Sequence, residues 1–469
     1  MTDKPDRDAA IARALAWFDD GAFAARLRDL VAIPSTSQEP AHAPDLRRYL
    51  SEGLTPWLTS LGFVVALHDN PAADAGPILL ASRIEDAALP TVLSYGHGDT
   101  VRGLADQWTD GRDPWTLRDE GDRWYGRGSA DNKGQHAINI AALDSVLAER
   151  GGRLGFNLKL LIETGEERGS LGLRDFVAAQ PDALAADVFI ASDGPRVRAD
   201  VPTICCGSRG VFTFDLAVRL RPGGVHSGNW GGIVRDPAII LAHALAAICD
   251  RNGRILVPGL LPREIPPAVR AALADCEPGS EGETATIDPG WGEPGLTPAE
   301  RVFAWTSFIV LAMLAGRPDS PVNAVAPWAR ATCQLRYTVD VEPDTFVPVL
   351  RRYLDEAGFA EVQIENPGMS MHPSRTDPSH PWVRWAAASI GRTLGWAPQV
   401  LPGSGGGVPG DVFIDHLSVP LVWIPHSYNG CKQHGPDEHF LKAPAREGIA
   451  MMTGLWWDLG EAPPRTGGI

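Results

Sequence analysis

An α/β domain with a mixed sheet, interrupted by a smaller inserted α+β domain, is the fold class that the sequence predicts. Three observations lead there. Short apolar runs alternate with helical patterns from residue 90 to about 195, strict period-two alternation takes over at Val211, and the first pattern returns after Ser374. Alternating strands and helices stack as layers around a sheet, whereas period two marks strands with one wet face. At roughly 100 to 200 residues per domain, two or three domains are expected from the 469 residues.

The elements follow in order. Thr91 to Tyr95, Asn157 to Glu163 and Asp187 to Ser192 are short apolar runs that read as buried strands. Between the first two lies Lys133 to Arg150, where Ile140, Leu143 and Leu147 recur at helical spacing before Gly151-Gly152 stops the pattern. It is a crossover helix. Phe212, Phe214, Leu216, Val218 and Leu220 then alternate as one half-buried strand, and Ala331, Cys333, Leu335, Tyr337 and Val339 repeat the signal. With helical patterns near 237–250 and 345–357, this second unit reads as a small ferredoxin-like β-α-β sandwich. The stretch from Pro258 to Thr297, rich in Pro, Gly and acidic residues, reads as a long loop or a partly ordered insertion in that unit. A helix from Trp382 to Leu394 and a strand from Val419 to Ile424 return the chain to the first domain. The predicted boundaries are therefore 1–207, 208–375 and 376–469, and no fixed-period repeat is present.

Composition excludes several classes. There are 42 basic and 58 acidic residues, a net charge of −16, and a phosphate-tracking protein would need the opposite balance. Neither nucleic acid nor an anionic membrane is an expected partner. Six cysteines are scattered without a C-x-x-C pair, so no zinc ribbon or disulfide scaffold is indicated. The N-terminal stretch is charged throughout, and no run of about 18 apolar residues occurs. A cytoplasmic location is expected.

The chemical signal is a set of acidic residues and histidines at the C-terminal ends of the predicted strands, where open α/β sheets keep their ligands. In Ser94-Tyr95-Gly96-His97-Gly98-Asp99-Thr100, His97 follows a strand and Asp99 is placed to hold its second ring nitrogen. Asp131, in Gly126-Arg127-Gly128-Ser129-Ala130-Asp131-Asn132-Lys133-Gly134, stands before the crossover helix. Its two oxygens suffice to bridge two cations, although an aspartate there is more often a cap. Glu166 and Glu167, in Glu163-Thr164-Gly165-Glu166-Glu167-Arg168-Gly169-Ser170, are adjacent carboxylates that repel without a cation, although a helix dipole also favours acids at such a start. Asp193 ends a third strand in Ser192-Asp193-Gly194, and His434 lies in Gln433-His434-Gly435-Pro436-Asp437-Glu438-His439. Imidazole and oxygen donors without thiolate suit zinc, manganese or cobalt.

These five segments resemble, in order and spacing, the metal-site motifs of the M20 family of metallopeptidases. The resemblance implies a two-metal catalytic domain interrupted by a lid domain that also forms homodimers. It implies that Asp131 bridges two divalent ions, most often Zn²⁺, with Mn²⁺ or Co²⁺ as alternatives. His97 and Asp193 would complete one site and Glu167 and His434 the other, with Glu166 as general base beside Asp99 and a cis peptide at Asp131-Asn132. In the lid, Gly224-Val225-His226-Ser227-Gly228 is similar to the family's histidine segment, which implies that His226 reaches the substrate carbonyl, often across the dimer interface. Asn323 and Arg336 resemble further substrate contacts, and a guanidinium suits a terminal carboxylate.

Gly405-Gly406-Gly407-Val408-Pro409-Gly410 fits G-x-G-x-x-G literally but carries a proline and no expected following helix, so it is not read as a dinucleotide site. It is similar instead to the family's glycine-rich substrate loop, with Gly406 and Gly407 approaching the scissile group. No G-x-S-x-G elbow or P-loop occurs. An aspartate at position 193 resembles the dipeptidase branch, which implies a dipeptide or small peptide substrate. Pro402-Gly403-Ser404, where many such dipeptidases place an arginine, keeps an N-acyl or N-carbamoyl amino acid open as the alternative. A non-catalytic binding protein would need a missing base or ligand, and none is missing.

Overall fold

The computed structural model describes residues 6–279 and 286–464. Its centre is an eight-stranded mixed sheet in which Asn157–Glu163, Thr91–His97, Val188–Ala191 and Leu421–Trp423 are successive parallel neighbours. Antiparallel strands Val64–His68 and Ile78–Arg83 extend one edge, and Thr203–Cys205 and Gln399–Leu401 the other. Successive residues of the parallel strands serve opposite faces, as the pleat requires. Val92, Val188, Ile190 and Val422 face one core, while Leu93, Phe189, Ala191, Leu421 and Trp423 face the other. Both faces being covered explains the continuous apolar runs.

The helices that close the first core include Arg7–Asp19, Ala22–Val31, Lys133–Glu149, Pro381–Leu394 and Lys442–Glu461. Lys133–Glu149 is buried around nearly its whole circumference, which hides the one-sided pattern of a surface helix. On the second face, Phe413 anchors the helix Gly410–Leu417 in a cluster with Tyr95, Phe189 and Trp423, with ring centroids 4.6 Å apart for Phe189–Phe413 and 5.6 Å for Tyr95–Phe413. This helix directly follows the glycine-rich loop, where none was expected. Its eight residues GDVFIDHL are too few to show a period.

Strands Gly210–Arg219, Ser307–Ala315, Trp328–Tyr337 and Gln363–Met371 form a separate antiparallel sheet. The first and third of these strands are its central pair. Ala329, Ala331, Cys333, Leu335 and Tyr337 are buried beneath the helices Pro237–Ile248 and Phe346–Glu356, and their alternate neighbours are not. This is the ferredoxin-like arrangement that period two predicted.

Of the two readings of the 258–297 stretch, the ordered insertion is the one that its described residues resemble. Leu260 belongs to the core of the small sheet, after which the chain crosses over and forms the helix Pro267–Ala272. Ile265, Val269, Leu273 and Cys276 pack into the second core of the large sheet, beside Leu401. Their i, i+4, i+8, i+11 spacing is a helical stripe, masked in the sequence by the surrounding prolines and glycines. Residues 280–285 of this stretch lie outside the described residues.

Phe413 is fully buried, and truncating a buried phenylalanine leaves both a transfer loss and a cavity. Phe413→Ala should cost about 3–5 kcal/mol in urea denaturation, whereas truncating the exposed Val64 should change stability by less than about 0.5 kcal/mol.

Candidate functional site

The parallel register assembles the site. Leu93 pairs with Phe189, which carries Asp193 to the level of His97, and His97 pairs with Glu163, which starts the turn holding Glu166 and Glu167. All four side chains emerge at the C-terminal edge of the sheet. His97 and Asp193 are buried, and Glu166 and Glu167 line a cavity of about 590 Å³ together with Asp131, Asp193 and His434.

Asp131 is the centre of the arrangement. Its Oδ1 lies 3.0 Å from His97 Nε2, and its Oδ2 lies 3.1 Å from His434 Nε2. Around the first oxygen, Asp193 Oδ2 is 3.7 Å from the same His97 nitrogen; around the second, Glu167 Oε2 is 3.0 Å from His434 Nε2. Two groups of three donors, His97–Asp131–Asp193 and Asp131–Glu167–His434, therefore share one carboxylate. Ligands about 2.0–2.1 Å from a tetrahedral ion stand roughly 3.3 Å apart, so both groups have the spacing of a cation's donors. Glu166 belongs to neither group, yet its Oε2 is 4.0 Å from His97 Nε2.

The charges point the same way. Burial pushes Glu166 well above the usual carboxylate range, Glu167 up to about 7 and Asp193 up to about 6. Burial also raises Asp131, but hydrogen bonds from His434 and His97 outweigh it and hold that carboxyl below its ordinary value. Hydrogen bonds to Asp131 and Glu167 lift His434 to about 11. Four carboxylates face two imidazoles, and even fully charged imidazoles leave an excess of negative charge that two divalent cations would neutralise. The donor set fits such ions: imidazole and carboxylate, with thiolate absent.

A buried scaffold aims these ligands. Glu438, 1% exposed, accepts hydrogen bonds from the amides of Gly128, Ala130 and Asp131 at 2.9–3.0 Å and from Arg127 Nη1 at 2.8 Å. It thus fixes the turn that presents Asp131, where the expected cis peptide Asp131-Asn132 is found. Sequence reading noted a carboxylate behind His434 but gave Glu438 no task; its partners lie more than 300 positions away. The turn carrying His434 holds that residue at φ +63°. Asp437 closes the turn by accepting from Thr109 and Arg112.

Asp99 holds the second ring nitrogen of His97, as expected, and does more besides. His97 Nδ1 lies 3.0 Å from the Asp99 carbonyl oxygen and 3.4 Å from its Oδ1, so Asp99 meets the ring through both backbone and carboxylate. The Asp99 carboxylate also accepts from the amides of Glu166 and Glu167 at 3.2 and 3.1 Å. One residue thereby orients the ligand His97 and fixes the loop of the two glutamates.

Arg336, Gly406 and Gly407 line the same cavity. Arg336 donates through Nε to Gln334 at 3.0 Å and has no acidic partner among the described residues. His226 and Asn323 do not line it. They sit together at a small two-stranded sheet, Val225–His226 with Ala324–Val325, where the Asn323 carbonyl accepts from the Ser227 amide. No helix of the described residues is long and apolar enough to cross a membrane.

Residues 93–458 match the model of peptidase family M20/M25/M40. The chain is 29% identical over 426 residues to a cysteinylglycine-S-conjugate dipeptidase of Corynebacterium striatum, a match spanning 88% of this chain and 86% of that protein. It is 33% identical over 258 residues to the Beta-Ala-His dipeptidase of Homo sapiens, spanning 52% of this chain and only 50% of that protein. Among solved structures, the di-peptidase Dug1p of Saccharomyces cerevisiae superposes with a TM-score of 0.79 at 18% identity, covering 98% of this chain and 99% of that one. At that identity the shared property is the fold.

Removing Glu438 would strand a buried guanidinium and three amides. Glu438→Ala should cost about 3–5 kcal/mol in urea denaturation, the usual loss when one partner of a buried ion pair is deleted. It should also weaken metal binding about 10- to 100-fold, because support of a metal ligand is lost with it.

Proposed function

The chain belongs to peptidase family M20/M25/M40, and from that premise we propose that it hydrolyses the amide bond of dipeptides, with Glu166 as general base. The observation that carries the reading is the two-handed Asp131, each oxygen facing a separate histidine–carboxylate pair, with Glu166 left unused beside them. Asp131 would bridge two divalent cations, zinc being the ion best suited to this donor set, with His97 and Asp193 on one and Glu167 and His434 on the other. When bound, such a pair acidifies a water and polarises a carbonyl.

The protein's own groups do the rest. Glu166, whose carboxyl burial raises well above its usual range, accepts the proton of the attacking water and returns it to the departing nitrogen. Arg336 grips the terminal carboxylate with its free guanidinium edge, a bidentate task suited to arginine. Gly406 and Gly407 let the substrate backbone lie close to the loop. The names of the two curated relatives, both dipeptidases, favour a dipeptide over an N-acyl or N-carbamoyl amino acid.

His226 completes the reading only across a dimer. It is exposed and outside the metal cavity of its own chain. The edge strand Ser307–Ala315 of the same small sheet exposes Val310, Leu311, Met313 and Leu314, an apolar row that pairing of two copies would cover. In that homodimer, His226 of one copy would donate to the carbonyl oxygen held in the other, with Asn323 beside it.

Glu166→Gln should keep two equivalents of metal and lose at least about 10²-fold in kcat, the usual share of general acid–base catalysis. Metal analysis and initial rates on one preparation check it; more than about a tenth of wild-type kcat would contradict the base. A panel of dipeptides, N-acyl and N-carbamoyl amino acids tests the substrate, and turnover confined to the last two would replace the dipeptide reading.

His226→Ala should lower kcat by roughly 10²- to 10³-fold, as loss of one oxyanion donor does, with metal content unchanged. Mixed dimers of Glu166→Gln and His226→Ala subunits should recover activity. Verified mixed dimers without recovery would place His226 in its own subunit's site.

A further inference from the structure

Beside the metal cavity lies a second cavity of about 370 Å³, and the two share Pro195, Ser404 and Gly406. We infer that this second cavity is a subsite for one bulky, uncharged side chain of the substrate, walled on its outer side by Ile287, Val302 and Phe303. The inference rests on the dipeptide reading and deepens it.

Its walls are apolar. Val197 and Leu401 come from the large domain, and Ile287, Val302 and Phe303 from the inserted segment. Ile287 and Val302 are 48% and 37% exposed, and large apolar side chains left open at a concave surface mark a place that a ligand covers. The one charged lining residue, Arg196, is committed elsewhere: its guanidinium donates to Glu447 and to the carbonyls of Pro425 and Pro444. A charged side chain entering here would find no counter-charge and would lose its water.

The mouth is the glycine-rich loop, and it is held open from behind. A Cβ on Gly406 would meet nothing, so the passage between the cavities there is free of side chains, while a Cβ on Gly405 would approach Val302 Cγ1 at 3.2 Å. Arg209, nearly fully buried, donates through Nη2 to the Gly405 carbonyl at 3.2 Å and through Nη1 to Ser307 at 3.1 Å. This pins the loop between the inserted segment and the small sheet. Pro278 and Gly279 line the cavity as well, and the chain that leads to them is anchored by Val269 and Leu273, both buried in the large domain's second core. The metal cavity, with Arg336, receives the ionic end of a substrate, and the apolar cavity receives its side chain.

The position to test is Ile287, which is exposed, lies outside the metal cavity and carries no fold contact that a larger residue would break. Wild-type enzyme and the Ile287→Trp and Ile287→Asp variants would be assayed on Phe-Gly, Gly-Phe, Ala-Gly, Gly-Ala, Lys-Gly and Gly-Lys. For the order of residues that places the side chain in the cavity, wild type should prefer Phe over Ala by about 10-fold or more in kcat/KM, the scale on which hydrophobic pockets discriminate. Ile287→Trp, which fills the space, should lower that Phe substrate at least about tenfold and leave both Ala substrates within about twofold. Ile287→Asp should lower the Phe substrate and raise the matching Lys substrate. Equal losses on Phe and Ala substrates, or Phe turnover untouched by both variants, would overturn the subsite while leaving dipeptide hydrolysis standing. A wild-type enzyme that cleaves none of the six would remove the dipeptide reading and the subsite with it.

Discussion

Four carboxylates at one edge of a sheet repel one another, and burying that much negative charge is the constraint to which the rest of the structure responds. Each answer is visible as a hydrogen bond. Glu438 is buried as well, and it can be because Arg127 and three amides satisfy both of its oxygens. Asp99 is fully buried and satisfied by two amides of the neighbouring turn. Among the described residues, Asp131 meets only His97 and His434, one on each oxygen, and Glu167 meets His434 through one oxygen while Asp193 stands 3.7 Å from His97; these carboxylates face the cavity and the two histidines. The division is chemical: carboxylates with complete partners build the frame, and those with lone pairs to spare point where a cation fits.

The sheet makes that division possible. Parallel neighbours end on one side, so three loops that leave Thr91–His97, Asn157–Glu163 and Val188–Ala191 meet at a single edge. Two closed cores, one on each face, hold those strand ends in register. A slip of one residue would turn Val92 and Leu93 to the wrong faces and move His97 away from Asp131. Rigidity at the site therefore derives from apolar packing some distance behind it, in the ring cluster of Tyr95, Phe189, Phe413 and Trp423 and in the terminal helix Lys442–Glu461.

What the sequence made legible was local. Runs such as Asn157–Glu163 and the alternation from Phe212 to Leu220 carry their structure in adjacent residues, and a polar residue just past an apolar run is a visible break. His97, Asp131, Glu167, Asp193 and His434 were found that way. Glu438 was not given its task, because its meaning depends on amides 307 to 310 positions away. Asp99 was matched to His97, two positions away, and that contact is present; its second task, on two amides of the Glu166–Glu167 turn, was hidden because those partners lie 67 and 68 positions away. Gly410–Leu417 was too short to show periodicity and opens with the glycine and proline that punctuate loops.

The 258–297 stretch shows a further reason for illegibility, since composition and pattern disagreed there and composition was the louder signal. Prolines and glycines around Ile265, Val269 and Leu273 mark the places where the chain turns, not an absence of packing. Pro266 and Pro267 begin a helix, a position where proline costs nothing because the first amides of a helix have no partner inside it. A segment that leaves one core at Leu260 and enters another at Ile265 needs turns at both ends and a short apolar stripe between them, and the sequence supplies both. The segment joins the small sheet to the large one while holding Ile287, Val302 and Phe303 against the glycine-rich loop. The same residues that make it look like a linker thus make it a wall. Its place beside Gly406 lets it act on what enters the cavity without contributing a single metal-facing group.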